Sequence, residues 1–312
     1  MWSLGLCPAL AQTLMMNPPR LSPLTPPMDG KVVLITGGNS GIGKATALSL
    51  AKIGADLVLL CRNREKAEAA AADIASASGK RVEIIIADML VQEEVRRAAS
   101  EFLSSHSRLD VLLNNAGSNF TSYEETVDGI ERTMALNYFS PFLFTNLLLQ
   151  TITMSAPARI VNVSSAGHYG AKLDLQNING RGKMGSEGLG AYGRSKLSLI
   201  LFTYELARRL EGKGVTVNSL HPGAVRTNIW SHAGLFSPLT IAASRFMLSP
   251  EEGARTSVYL ASSPEVEGVT GKYFVKCRPK RSSEESYDEV VAAGLWDLSQ
   301  SMTGLVAPTA QP

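Results

Sequence analysis

The chain has 312 residues, 45% hydrophobic and 19% charged, which suits one large α/β domain with a sizeable core. Lys and Arg total 30 against 28 Asp and Glu, a formal charge of +2; with no concentrated basic face, nucleic-acid binding is excluded as a function class. Cys7, Cys61 and Cys277 stand far apart without a CxxC pair, which fits reduced thiols in an intracellular, most simply cytoplasmic, setting.

Residues 1–27 carry six prolines, one Arg and no acidic residue. Their apolar part is broken by Pro8 and Gln12, lacks a basic n-region and falls short of the roughly 20 apolar residues of a spanning helix. The stretch reads as a disordered leader, or as sequence upstream of a functional start at Met28. A weak membrane or lipid-surface anchor and organelle targeting are the competing readings. No later segment is long enough to span a bilayer.

From Lys31 short β-rich runs alternate with helical patterns. "KVVLIT" (31–36) precedes a helical stretch from Gly41 to Ile53, and "ADLVLL" (55–60) precedes an Ala/Glu/Lys-rich helix over 64–78. "RVEIIIA" (81–87), "LDVLLN" (109–114), "ARIVNVS" (158–164), "GVTVNSL" (214–220) and "GKYFV" (271–275) continue the series. Such spacing predicts βαβ units: a doubly wound, Rossmann-like parallel sheet of about seven strands, covered by helices on both faces. One domain is expected over 28–282, followed by a C-terminal helix and a frayed tail over 283–312. Two irregular stretches stand out: 166–190, with seven glycines, and 224–249, with Trp230, Phe236 and Phe246.

"TGGNSGIG" (36–43) directly follows the first strand and opens the first helix. Its glycines allow a tight turn and close approach to a pyrophosphate, whose charge a helix N-terminus favours. Gly37, Asn39, Ser40, Gly41, Ile42 and Gly43 are the candidate phosphate-loop residues. Tyr192 and Lys196, in "YGRSK", are four apart and so neighbours on one helical face. A tyrosine has an unperturbed pKa of about 10; a nearby ammonium is expected to lower it and fit the phenol for proton exchange.

TGGNSGIG, NNAG (114–117), NVSS (162–165), YGRSK (192–196) and HPG (221–223) occur in that order. Over about residues 29–278 the chain resembles a short-chain dehydrogenase/reductase. "CRN", the long gap before Tyr192, "FTYELARRL" and "HPGAVRT" resemble the retinol dehydrogenase-like branch. The resemblance implies a catalytic set of Asn137, Ser165, Tyr192 and Lys196. In that set Ser165 would hydrogen-bond the substrate oxygen, and Tyr192 would exchange its proton. Lys196 would hold the nicotinamide ribose, and Asn137 would hold a water for proton relay. The resemblance also places Asp88 against adenine, and Asn115, Ala116 and Gly117 along the adenine ribose. Pro222, Gly223, Val225 and Thr227 would lie near the carboxamide. Asn114 is expected to tie the sheet together and His221 to be structural. His168, in the long loop, leaves a substrate contact open. No His/Cys/Asp/Glu spacing suggests a metal site.

The end of the second strand bears on cofactor choice. NAD needs an acidic side chain there for the ribose 2′-hydroxyl, and NADP a cation for the 2′-phosphate. Cys61 occupies the acidic position and Arg62 follows it; no acidic residue occurs from Leu57 to Arg64. Ser40 stands where some NADP enzymes carry a second basic residue, and Lys44 is the alternative cation. NADP(H) is the expected cofactor, with Arg62 gripping the phosphate.

The apolar, aromatic 228–249 segment would fold over the site and favour a hydrophobic alcohol or carbonyl substrate, retinoid-, steroid- or lipid-like. A dimer or membrane contact is its bland reading. The helix 195–210 is either a homodimer interface or simply core. The leading reading is an active NADP(H)-dependent oxidoreductase. Its rivals are a catalytically silent NADP(H)-binding regulatory or scaffold protein, and a lipid-surface structural protein.

Overall fold

The computed structural model describes residues 27–182, 189–225 and 247–305. The leader up to Pro26, Thr227 and nearly all of 228–249 lie outside them. The strands are β1 (Val32–Thr36), β2 (Asp56–Cys61), β3 (Val82–Ile86), β4 (Val111–Asn114), β5 (Ala158–Val163), β6 (Val215–His221), β7 (Lys272–Val275) and β8 (Arg278–Pro279). The helices are α1 (Gly41–Lys52), α2 (Arg64–Ser78), α3 (Gln92–Ser105), a composite α4 over 132–154, α5 (Leu189–Arg209), α6 (Pro250–Ser262) and α7 (Glu289–Thr303).

The sheet order is β3-β2-β1-β4-β5-β6-β7-β8. Seven strands run parallel, as the alternating pattern implies, and β8 adds an antiparallel edge against β7. That hairpin turns at Lys276 and Cys277, with φ of 52° and 60°. Two left-handed residues are what a tight hairpin turn demands, usually signalled by Asn-Gly. Here neither residue advertises it, and Pro279 is tolerated because β8 is an edge.

Buried on both faces, β1 sends alternate residues to opposite cores. Leu34 packs with Phe102, Phe142, Leu199 and Trp296 of α3, α4, α5 and α7. Val33 and Ile35 pack with Leu50, Ile74 and Val258 of α1, α2 and α6. Local signals set the helix ends. Asn63 accepts a hydrogen bond from the Lys66 N–H, and Gly79 closes α2 in the left-handed conformation. Ser249 and Glu252 form a capping box at α6.

α5 is buried from Ala191 to Ala207. α7 lies across it: Trp296 meets Phe142 and Phe202 edge-on or tilted, and the Arg209 guanidinium sits 4.0 Å from the Trp296 ring centroid. The apolar stripe of α5 is therefore core. Among the described residues, no helix is long and apolar enough to cross a membrane.

Parallel strands β1 and β4 are pinned at their amino ends by Asp110, whose side chain is buried. It accepts from Lys31 Nζ at 2.9 Å, the Val32 N–H at 3.0 Å and Arg108 Nε at 2.7 Å. Burial pushes this carboxyl up, but the donors of Arg108, Lys31 and Val32 outweigh it and hold it below the usual range. With the folded-state pKa depressed, this stabilisation is present above the unfolded pKa of about 3.9 and is lost as pH falls through the folded value. Asp110→Ala is expected to cost about 2 kcal/mol at pH 7, discounted for the half-exposed cations, and to flatten the acid side of the stability curve. Urea denaturation between pH 2 and pH 7 checks this against the parent chain.

Candidate active site

The strand order reverses between β1 and β4, so their carboxyl ends splay apart into a crevice. A cleft of about 880 Å³ opens there, lined by Gly37 and Asn39–Gly43, Cys61, Arg62, Asp88, Asn115–Gly117, Tyr192, Lys196 and Pro222, among others. The glycine loop closes on itself at Gly43. A Cβ on that residue would come within 2.3 Å of the Gly37 carbonyl oxygen and 2.5 Å of Asn115 Nδ2, so no larger side chain fits. Ser40 begins α1 without a side-chain cap, and no acidic residue occupies the first turn. The exposed N–H groups and the positive end of the helix thus remain directed at the cleft.

The loop is tied to the next strand by Asn115, whose Nδ2 donates to Thr36 O at 2.9 Å and Gly37 O at 3.2 Å. Thr36 Oγ1 accepts from the N–H groups of both Asn115 and Ala116 at 3.0 Å. Asn114 Nδ2 donates to Asn162 Oδ1 on the neighbouring strand β5 and to Thr145 Oγ1 on α4, the structural place expected for it.

Lys196 and Tyr192 share one face of α5. Lys196 Nζ donates to Val163 O at 3.0 Å and lies 5.6 Å from the Tyr192 ring centroid. Gly117 makes room for this cluster, since a Cβ there would sit 3.0 Å from Asn137 Oδ1 and 3.3 Å from Lys196 Nζ. Asn137 lies in the π-helical stretch of α4, Ala135–Phe139, an irregularity that often marks functional positions. Its amide holds the backbone of Ser118 from both sides, with Nδ2 donating to Ser118 O and Oδ1 accepting the Ser118 N–H, each at 2.9 Å. Nδ2 also reaches Ser195 Oγ at 2.9 Å, and Ser195 donates to Tyr192 O at 2.8 Å.

The two serines after β5 differ. Ser164 is buried, its hydroxyl donating to Lys196 O at 2.9 Å. Ser165 is half-buried and hydrogen-bonds the Tyr192 side chain. The two hydroxyls thus have different partners, Ser164 the α5 backbone and Ser165 the Tyr192 side chain.

The electrostatics differ from expectation. Burial raises the Tyr192 phenol above its usual value, and the Ser165 hydrogen bond only partly offsets this. Burial also drives the Lys196 ammonium down, to about 8. Burial is the leading cause of both shifts, and it leaves Tyr192 a neutral phenol.

Arg62 is exposed, with Nη1 3.8 Å from Asp88 Oδ2; an acidic group absent from the local sequence is brought there by β3. Asp88 also accepts from the Leu90 N–H at 2.9 Å, capping its own turn. Lys44 pairs with Asp73 at 2.5 Å and does not line the cleft. Lys66, in the first turn of α2, lines the cleft beside Arg62 and Asn63. Cys61 is a buried neutral thiol, raised to about 11 by burial against hydrogen bonds from the backbone of Gly38 and Asn39. Gly223 follows Pro222 at φ +93°. Val225 packs with Ile42, Ala45 and Ala254, so its side chain is committed to core. His221 is held neutral, lowered to about 4 by burial and by His168 and Lys280. His168 is wholly buried, with both ring nitrogens engaged by protein, and does not face a substrate.

A family model for short chain dehydrogenases matches residues 31–235. The chain is 44% identical to human retinol dehydrogenase 14 over 297 residues, covering 89% of this chain and 88% of that protein. A solved structure of an uncharacterized Mycobacterium paratuberculosis protein aligns with TM-score 0.74 and 32% identity, over 91% of this chain and 97% of that one. The Pseudomonas aeruginosa RhlG/NADP active-site complex aligns with TM-score 0.66 and 27% identity, over 84% and 98%.

A buried lysine that keeps its proton at neutral pH costs stability. The unfolded pKa is about 10.4, so between about 8 and that value the unfolded chain binds more protons, and stability rises with pH. Lys196→Met is expected to be more stable than the parent at pH 7, with the gap closing by about pH 10. Chemical denaturation of the pair across this range reads it directly.

Proposed function

The chain belongs to the short-chain dehydrogenase/reductase family, in its retinol dehydrogenase-like branch, and from that premise we propose an NADP(H)-dependent oxidoreductase that interconverts a hydrophobic alcohol and its aldehyde or ketone. One observation carries the reading: a single cleft at the β1/β4 reversal holds the glycine loop, Arg62, Tyr192 and Lys196 together. The fit to a dinucleotide rests on the glycine cradle that a Cβ at Gly43 would fill and on the uncapped start of α1.

In this reading Gly37–Gly43 bind the pyrophosphate through backbone N–H groups. Arg62 takes the 2′-phosphate; Lys66 adds a second cation, and Asp88 steers the Arg62 guanidinium toward β3. NADP in the RhlG complex and retinol in the name of the 44% identical human relative point the same way for cofactor and substrate class. When bound, the nicotinamide supplies or accepts the hydride. Lys196, against Gly117 and Val163 O, is placed to hold the ribose hydroxyls. Ser165 fixes the substrate oxygen beside the Tyr192 hydroxyl, to which it is already bonded. Tyr192, kept protonated by burial, gives its proton to that oxygen during reduction and takes it back during oxidation. Asn137 holds Ser118, the residue after Gly117, and through Ser195 the Tyr192 backbone, so the loop and α5 stay in register.

Near neutral pH the phenol holds its proton, the form that donates during reduction. Tyr192→Phe is expected to lower reductive kcat by roughly 10²–10⁴-fold while NADPH affinity is retained. Single-turnover assays with bulky hydrophobic aldehydes, retinaldehyde among them, check this; undiminished turnover would remove Tyr192 from the chemistry. Arg62→Asp is expected to reduce the preference for NADPH over NADH by roughly 10- to 100-fold, the worth of a charge-assisted contact. Paired kcat/KM measurements with the two cofactors decide it, and an unchanged ratio would place the phosphate elsewhere.

A further inference from the structure

We propose that His168 is a positioning residue that sets the Ser165 hydroxyl and ties it to the C-terminal segment 281–287. Its Nδ1 lies 2.6 Å from Ser165 O, and its Nε2 lies 3.2 Å from the backbone nitrogen of Ser283. A carbonyl can only accept and a backbone N–H can only donate. The ring is therefore the neutral Nδ1–H tautomer, fixed from both sides. Burial keeps it there by lowering its pKa, with Glu285 opposing and Lys280 assisting. Tyr169 at 4.0 Å and Tyr273 at 4.9 Å between ring centroids clamp the imidazole.

The Ser165 turn is short. Gly167 N–H donates to Ser165 Oγ at 3.1 Å, and His168 N–H reaches Ser165 O at 3.3 Å. The Ser165 peptide can swing only if the imidazole lets go of its carbonyl. What holds the imidazole is a segment more than 100 residues away in sequence. Tyr169 Oη donates to Arg281 O at 2.8 Å, and Tyr204 Oη meets Ser282 Oγ at 2.8 Å. Three contacts thus bolt the chain after β8 to the catalytic-serine turn and to α5. The C-terminal segment becomes part of the active-site framework without touching substrate.

The inference rests on the reading of Ser165 as the substrate's hydrogen-bond partner, and the test separates the two. Reductive kcat, NADPH affinity and Tm are measured for the parent and for Ser165→Ala, His168→Phe, His168→Asn and Ser283→Pro. The double variant Ser165→Ala/His168→Phe completes a cycle. Ser283 sits at φ −65°, so proline fits there and removes the donor to Nε2 together with the Ser283 hydroxyl beside Glu285. Ser283→Ala, which keeps the N–H, is the control for the lost hydroxyl and is expected to retain activity. His168→Phe is expected to lower kcat roughly 10- to 100-fold with NADPH affinity unchanged. His168→Asn, which restores a donor near Ser165 O, recovers much of the loss, and Ser283→Pro loses activity in the same sense. In the Ser165→Ala background the His168 change has no further effect beyond about twofold. Undiminished kcat in both His168→Phe and Ser283→Pro, with Ser165→Ala impaired, overturns the inference alone. So does a full His168 effect persisting without Ser165, which would mark general damage. If His168→Phe does not fold, Ser283→Pro decides, since it keeps the ring. An unimpaired Ser165→Ala sinks the reading of Ser165 and the inference with it.

Discussion

Thr36 Oγ1 accepts two consecutive backbone N–H groups, those of Asn115 and Ala116, where the chain order of the sheet turns back on itself. Strands β1 and β4 are neighbours there, yet the loops leaving them depart in opposite directions, and the crevice is what remains between them. With the Asn115 side chain bridging the same gap, the glycine loop and the NNAG segment become one rigid wall. Gly117, Asn137 and Lys196 can then approach one another closely. A slack joint here would leave each motif intact and the site unassembled.

The site is built from groups that the interior would rather not hold. Lys196 is buried with one carbonyl acceptor, Tyr192 is buried beside it, and Asn137 is fully enclosed in a π-helical stretch. Each is a cost that apolar residues would avoid, offset in part by hydrogen bonds to Val163 O for Lys196, to the Ser165 hydroxyl for Tyr192, and to Ser118 and Ser195 for Asn137. The thick aromatic packing of α4, α5 and α7 around Phe142, Phe202 and Trp296 supplies the compensating burial. α7 has a double part in this, closing the core over α5 while the segment before it reaches back to the Ser165 turn.

Much of this was legible in the sequence because it is local. The α2 boundaries follow from Asn63 and Gly79, the parallel strands from their apolar runs, and the loop glycines from their place between strand and helix. What could not be read depends on distant partners. Nothing near Arg62 announces Asp88, nothing near Lys44 announces Asp73, and nothing near His168 announces Ser283. The Tyr192 electrostatics went the other way because spacing reveals that a lysine is adjacent but not that both groups are desolvated. Similarly, the α5 stripe could have served a subunit contact until α7 was found lying on it. Val225 shows the same limit, since motif position placed it at the cofactor whereas packing placed its side chain with Ile42 and α6.

Hydride transfer between a nicotinamide and a hydrophobic carbonyl is the work proposed for this cleft. Isotope transfer tests it most directly: NADPH deuterated at C4 on one face, and separately on the other, is incubated with the protein and retinaldehyde, and the alcohol product is analysed by mass spectrometry and NMR. One of the two labelled cofactors, and not the other, is expected to leave one deuterium on the carbinol carbon. Tight NADPH binding with no deuterium in any alcohol product, across a panel of bulky aldehydes and ketones, would contradict it.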